Sequence, residues 1–413
     1  MIRYFKRLIF LLVVNMHLVL SYSQVAWPAT DWSSAVNLSA DFPLDATELS
    51  GLYWNNLTNC LYAIGDGGSV YVLHYDKTTG QYTLLDSALT IHSPEGITQV
   101  DNSAREFYTI DEQSYEIRKY TYGTNFLSLS KSKSWYLLQS PSPMTDTGNT
   151  GPEGIAFVPD SYLQRIGFLS SVTGHVYTSV KGMCGLIFIA HQDGGYVWVF
   201  DVNPNVSNDF AYVGKYRTNR SESCETTFDC STGLLYVLHN VNDNYLEVTD
   251  LSTTIVSGEY KFKTLKEYYI PNPSGSINVE GFALSPKYPA NLSMGVWLCR
   301  DVSKKTETLD AIRWFNQFTF EGNEITGLTN IAGDAEMFSV YPDLVNDNLT
   351  LKSSTAGSFS VKIYSVTGQL VLEKDRLNAI ETINLKNLGR GIYFVKLMSG
   401  NKQGITKTII KIE

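Results

Sequence analysis

Five times along the chain a glutamate stands at the head of a short apolar run. The phrases are Glu48-Leu49-Ser50-Gly51, Pro94-Glu95-Gly96-Ile97, Pro152-Glu153-Gly154-Ile155-Ala156, Glu225-Thr226-Thr227 and Glu280-Gly281-Phe282-Ala283. Their separations are 47, 58, 72 and 55 residues, and a repeat of that period limits the architecture more than composition does. A second run, rich in Leu, Ile, Val and Tyr and ending in a polar group, follows each glutamate, at 61–66, 107–111, 186–191, 235–239 and 296–301. A third, alternating run comes next, as at 69–76, 115–120, 196–201 and 245–250, and alternation over such lengths reads as strand.

Units of this length with this strand content are propeller blades. The expected fold is all-β: a five-bladed β-propeller, with a six-bladed ring as the alternative, followed by a small antiparallel β-sandwich. The six-bladed alternative rests on the third unit, whose surplus chain around 160–182 reads either as an insertion or as part of a further blade. The fifth unit has no outer strand after 310–318, so the segment 34–44 is expected to pair with it and cover its edge. Five cysteines without a CxxC pair give no disulfide framework or zinc site. Cys224 and Cys230 are separated by six residues of extended chain, roughly 20 Å, beyond disulfide reach; Cys184 and Cys230, near the starts of second strands in adjacent blades, are placed to pair, but burial as small hydrophobes is the expected state. Trp54, Trp135, Trp198 and Trp297 are expected to pack between blades rather than to form sugar-stacking platforms.

The two ends of the chain are different in kind. Arg3, Lys6 and Arg7 precede an apolar stretch at 8–20 that is too short to span a bilayer, and Ser21 and Ser23 are small residues where a signal peptidase cuts, so residues 1–23 read as a signal peptide. Residues 24–336 hold 19 Lys and Arg against 35 Asp and Glu, whereas residues 337–413 hold 10 against 6. An acidic body at 24–320, a polar, glycine-bearing linker at 321–336 and a basic tail at 337–413 follow from that division. The sequence pI near 5.3 argues against a nucleic-acid partner.

The start of a blade's first strand lines the central channel, so Glu48, Glu95, Glu153, Glu225 and Glu280 are expected to converge there. Five carboxylates in one narrow space repel and raise one another's pKa. Ca²⁺, which takes about six to eight oxygen ligands, answers that repulsion; clamping of each Glu by backbone N–H groups of the next blade is the structural alternative. A second set, Asp66, Asp111, His191, His239 and Asp301, stands at matching strand ends and is expected either to bind a ligand at the mouth or to cap the blades. No GxSxG elbow, HExxH helix, Walker A loop or dinucleotide fingerprint occurs, so the common hydrolase and nucleotide chemistries lack their motifs.

The Glu-Leu-Ser-Gly-Leu, Ser-Pro-Glu-Gly-Ile, Gly-Pro-Glu-Gly-Ile-Ala-Phe and Glu-Gly-Phe-Ala-Leu phrases resemble the SdiA-regulated family of exported propellers, and more distantly the propeller phytases and phytase-like esterases, over about residues 45–318. That resemblance implies a calcium-bearing propeller acting as a surface or secreted binding module. The alternative is a metal-dependent phosphoester or carboxylester hydrolase with Asp111, His191 or His239 as base. The fourth phrase departs from the pattern, with neither Pro before nor Gly after Glu225. The tail phrases Phe338-Ser-Val-Tyr-Pro342, Asn348-Leu-Thr-Leu351, Val361 to Val371, Ile383 to Leu388, Gly391-Ile-Tyr-Phe-Val-Lys396 and Thr406 to Ile412 resemble the type A C-terminal sorting domain of type IX secretion. This implies a Gram-negative, Bacteroidetes-type cell, the type IX machinery as partner through residues 337–413, and a monomer secreted or held at the outer surface, its ligand unidentified.

Overall fold

The computed structural model describes residues 25–40, 48–91, 93–123, 128–241, 243–270, 278–286, 294–302, 308–318, 338–341, 344–353, 358–366, 368–398 and 405–412. The expected signal peptide and linker lie outside the described residues. Two short strands, β1 (Val25–Ala26) and β2 (Val36–Asn37), precede five antiparallel meanders. The first is β3 (Leu49–Asn55), β4 (Cys60–Gly65), β5 (Ser69–Asp76) and β6 (Gln81–Leu89), and the second is β7 (Pro94–Thr98), β8 (Glu106–Asp111), β9 (Glu116–Thr121) and β10 (Ser130–Tyr136). The third is β11 (Pro152–Pro159), helix α1 (Asp160–Ile166), β12 (Gly185–His191), β13 (Tyr196–Val202) and β14 (Phe210–Arg217). The fourth is β15 (Glu225–Asp229), β16 (Leu234–Val241), β17 (Asp243–Val256) and β18 (Glu259–Tyr269). The last is β19 (Val279–Leu284), β20 (Val296–Arg300) and β21 (Ile312–Phe315), with β2 paired to β21 through Val36↔Trp314.

The fold is all-β. The five first strands adjoin in cyclic order: β3 meets β7, β7 meets β11, β11 meets β15, β15 meets β19, and β19 returns to β3. Two joins were not foreseen in the sequence: β14 runs parallel to β18 at Arg217↔Lys261, and β1 runs parallel to β18 at Val25↔Tyr268. The surplus chain of the third meander is α1, closed at Gly167 in the left-handed conformation that ends many helices, and a bridge at Leu169↔Val176. Tyr177 Oη, Ser179 Oγ and the Val180 N–H all donate to the buried Asp201 carboxylate and tie this segment down.

Alternation puts each strand's apolar side chains on both faces of its meander, so the core lies between meanders. Trp54 stacks on Trp297 at 4.5 Å between the first and last, and Ile97 and Phe107 pack against Tyr62 between the first and second. Trp135 and Trp198 belong to the cluster between second and third, Phe188 and Phe262 to that between third and fourth, and Tyr236 and Phe282 to that between fourth and fifth. All four singled-out tryptophans are buried, and burial of each such ring stabilises the fold by about 2–3 kcal/mol. The five cysteines are free thiols.

The tail holds β22 (Phe338–Tyr341), β23 (Leu344–Val345), β24 (Asn348–Ser353), β25 (Phe359–Ser365), β26 (Leu370–Leu377), β27 (Ile380–Asn384), β28 (Gly391–Met398) and β29 (Ile405–Lys411). Sheets β22-β24-β27 and β23-β29-β28-β25-β26 enclose Val340, Leu349, Leu351, Val361, Ile363, Ile383, Val395, Leu397 and Ile409. One pair, β23 with β29, is parallel; the rest is antiparallel.

Candidate functional site

A register shift decides what the recurring phrase delivers. In four of the five meanders the ladder between first and second strands breaks directly after a fixed pair, Leu49↔Gly65, Pro94↔Asp111, Pro152↔His191 and Val279↔Arg300. A bulge there re-aims one side chain out of the strand. The residues so placed are Ser50, Glu95, Glu153 and Glu280. Glu48 therefore does not join the other glutamates: it sits two residues earlier, exposed, at φ 64°, its carbonyl accepting the N–H of Asp66 at 3.0 Å. Aligning the first phrase on its glycine instead of its glutamate would have found Ser50.

Close backbone approach makes the glycines of these phrases necessary. A Cβ on Gly51 would stand 2.7 Å from the carbonyl oxygen of Glu95, and one on Gly96 would stand 2.7 Å from that of Glu153. The fourth phrase has Thr226 in place of glycine. There Glu225 pairs with Leu238 without a bulge, and its carboxylate turns inward, accepting the N–H of Thr226 at 2.7 Å and those of Leu52 and Ile155. Glu225 thus ties three first strands together and takes the clamping role. Burial raises its pKa well above the usual carboxylate range, and Oε2 meets no donor among the described residues.

Glu95, Glu153 and Glu280 remain as a group at one end of the ring. Burial pushes Glu95 up to about 8, against a hydrogen bond from Ser50, and the charges of Asp66, Glu112 and Asp111 push the same way. Burial also raises Glu153 and Glu280 well above the ordinary range, helped by Glu95, Glu112, Glu280 and Glu222 for the first and by Asp301, Glu95 and Glu222 for the second. Glu112, whose own pKa burial raises, accepts the Gly151 N–H at 3.2 Å and adds its charge to the field on Glu153. Glu112 and Glu222 escaped the sequence reading, although Glu112 directly follows Asp111.

The second expected set does not converge. Asp66 and Asp301 stand at the acidic end, Asp301 with its N–H on the Asn278 carbonyl at 3.0 Å and its pKa raised first by burial and then by Asp66. Asp111 lies one step earlier in register and is satisfied as a cap: the Ser114 N–H at 2.7 Å, the Ser114 hydroxyl and Arg118 at 2.6 Å all reach it. His191 is buried beside Tyr115 and Trp198, and burial lowers its pKa to about 4. His239 is fully buried, Nδ1 on the Glu222 carbonyl at 2.6 Å and Nε2 on Glu247 at 3.1 Å. Side chains at successive strand positions face opposite sides of a sheet, so a one-step register error sends a residue into the core.

Calcium was expected on five converging glutamates. Three converge, and among the described residues no group of three or more His, Cys, Asp or Glu side chains is gathered closely enough to hold a metal ion directly. None of Glu95, Glu153 and Glu280 is paired with a Lys or Arg among the described residues, and their mutual repulsion is relieved by any positive charge between them.

Residues 339–411 match the family model of the secretion system C-terminal sorting domain. The tail is therefore a type IX sorting domain, which supports secretion or a cell-surface location for the protein. No curated protein matches the chain. Among solved structures it is similar to the nidogen/laminin complex at 14% identity, over 62% of this chain and 72% of that one, with a TM-score of 0.34. It is also similar to PorZ of Porphyromonas gingivalis, a bacterial surface component of the type IX secretion system, at 14% identity over 88% of this chain and 45% of that one, TM-score 0.29. Sqt1 of Saccharomyces cerevisiae is similar at 9% identity over 88% and 84% of the two chains, TM-score 0.29.

Proposed function

We propose that the chain is a five-bladed β-propeller of the SdiA-regulated type, exported by type IX secretion and acting at the surface as a binding module whose acidic mouth takes a hydrated cation, Ca²⁺ first among them. The cyclic order of the five first strands supports the ring. One observation carries the binding reading: Glu95, Glu153 and Glu280 lie near enough to raise one another's pKa, and none of them is paired with a Lys or Arg among the described residues. Calcium is the hard cation that tolerates irregular oxygen sets with retained water. In this reading Glu95, Glu153 and Glu280 hold it, Glu112, Asp66 and Asp301 supply the surrounding negative field, and Glu225 stays in the clamp.

The experiment is a calcium titration of residues 24–336, followed by melting temperature and by calorimetry, with a chelated sample as reference. Binding to the folded state adds RT ln(1 + [L]/Kd), about 3 kcal/mol at about a hundred times Kd. A melting temperature indifferent to calcium and to chelator, with no heat of binding, refutes the cation.

A further inference from the structure

Strand β28 reads Gly391-Ile-Tyr-Phe-Val-Lys-Leu-Met398, apolar on both faces, although an antiparallel sandwich needs only one buried face per strand. Tyr393, Val395 and Leu397 fill the tail's own core. Ile392 and Phe394 point the other way and are still only 5% and 7% exposed. What covers them is the ring.

Phe394 belongs to the apolar cluster between the third and fourth meanders, with Tyr162 standing edge-on at 6.1 Å and the half-buried Phe228, Cys230 and Tyr364 packed alongside. Ile392 and Val366 close a cavity of about 60 Å³ whose other wall is Tyr53, Gln99, Phe157 and Phe228. Arg390 shares a neighbouring crevice with Asp101, opposite charges on the two sides, as the basic tail and acidic body lead one to expect. Those ring residues lie at the C-terminal ends of β3, β7, β11 and β15, whereas the glutamates lie at the N-terminal ends. The tail therefore sits on the end of the ring away from the acidic mouth.

We propose that the outward face of β28, with the Val366 turn, is a docking surface whose partner is this chain's own ring, so that the sorting domain is an intramolecular plug as well as an export signal. The plug masks the apolar cleft of Tyr53, Phe157 and Phe228 for as long as the tail stays attached and seated. This does not depend on the cation, since the two surfaces are at opposite ends.

The test uses the full chain with a protease site inserted between Phe318 and Phe338. The tail has its own core and stays folded after cutting. At micromolar concentration the cut pieces should co-elute in size exclusion, with or without calcium. Val366→Glu, on a turn outside the tail core, should weaken their association at least tenfold while amide exchange in β24 and β25 is unchanged. Loss of the tail should speed exchange at Thr227 and Phe228. Cut wild-type pieces that separate at micromolar concentration, or a Val366→Glu protein that co-elutes as tightly as the wild type, would overturn the docking.

Discussion

Glu95→Gln removes one charge from the acidic mouth without changing its shape, and the pKa of this carboxyl sets the size of the effect. With a folded value of about 8 against an ordinary 4.5, the folded state binds more protons than the unfolded one between those two pH values. Stability therefore falls as pH rises through that window in the absence of a cation. At pH 8 the accumulated cost reaches about 4 kcal/mol as a ceiling, taking about 1.4 kcal/mol per unit. At 7% exposure little of this is screened by solvent. Glutamine carries no such cost, so in chelator at pH 8 the variant should melt roughly 5–10 °C above the wild type, and at pH 5 the two should coincide. Calcium should reverse the order, because the wild type then regains what repulsion took and the variant has one carboxylate fewer to bind it. Scanning fluorimetry from pH 5 to 8.5, with chelator and with calcium, reads all four arms. Parallel curves for the two proteins in chelator would refute the account of Glu95 as a buried carboxyl strained by its neighbours.

Deleting residues 337–413 should leave the ring folded but held in the periplasm, and normal levels of truncated protein outside the cell would contradict the sorting assignment. Removing residues 24–44 takes β2 from β21, β1 from β18 and the buried Trp32 from its cluster; a lower melting temperature and aggregation should follow, and an unchanged monomer with an unchanged melt would count against that closure. Glu225→Ala leaves the N–H groups of Leu52, Ile155 and Thr226 without their acceptor, at about 1–3 kcal/mol for each left dry, whereas Glu225→Gln keeps an acceptor oxygen and should melt close to the wild type. Equal losses in the two variants would show that Glu225 acts through its charge rather than as an acceptor.

The strands were legible because their alternation is a local signal. The run at 69–76 is β5 to the residue, and the five glutamate phrases do open five neighbouring strands. The site was less legible, because a bulge changes where a side chain points by one residue while leaving the apolar pattern intact. Glu48 looked equivalent to Glu95 because both are glutamates near a glycine, yet the glycine fixes the register, since it admits the neighbouring backbone. Asp111 and Asp66 looked equivalent because both end a second strand, yet one is a residue earlier and pairs with Arg118. The missing glycine after Glu225 was visible in the sequence. Its consequence was not, because only the ring brings Leu52 and Ile155 to that carboxylate.

Ser50→Glu and Glu48→Gln together separate the two registers. Ser50 is 3% exposed, its hydroxyl donating to the Glu48 carbonyl at 3.4 Å and lowering the pKa of neighbouring Glu95, at the position that carries Glu in the other four phrases. A glutamate there would stand near three carboxylates already in mutual repulsion. One further contact at about 5 Å costs about 3 kcal/mol at an effective dielectric constant of about 20. In chelator near pH 8, Ser50→Glu should therefore lower the melting temperature markedly, and lowering the pH to 5 should restore most of the loss because the new group is protonated. In calcium the loss should shrink, since the added oxygen ligands strengthen the site. Glu48→Gln should change little in either buffer, its side chain being exposed and outside the bulge. If Glu48 were the true fifth member of the group, the pattern would invert. Glu48→Gln would then weaken the calcium response, and Ser50→Glu would destabilise by the same amount at every pH, as a steric intrusion does.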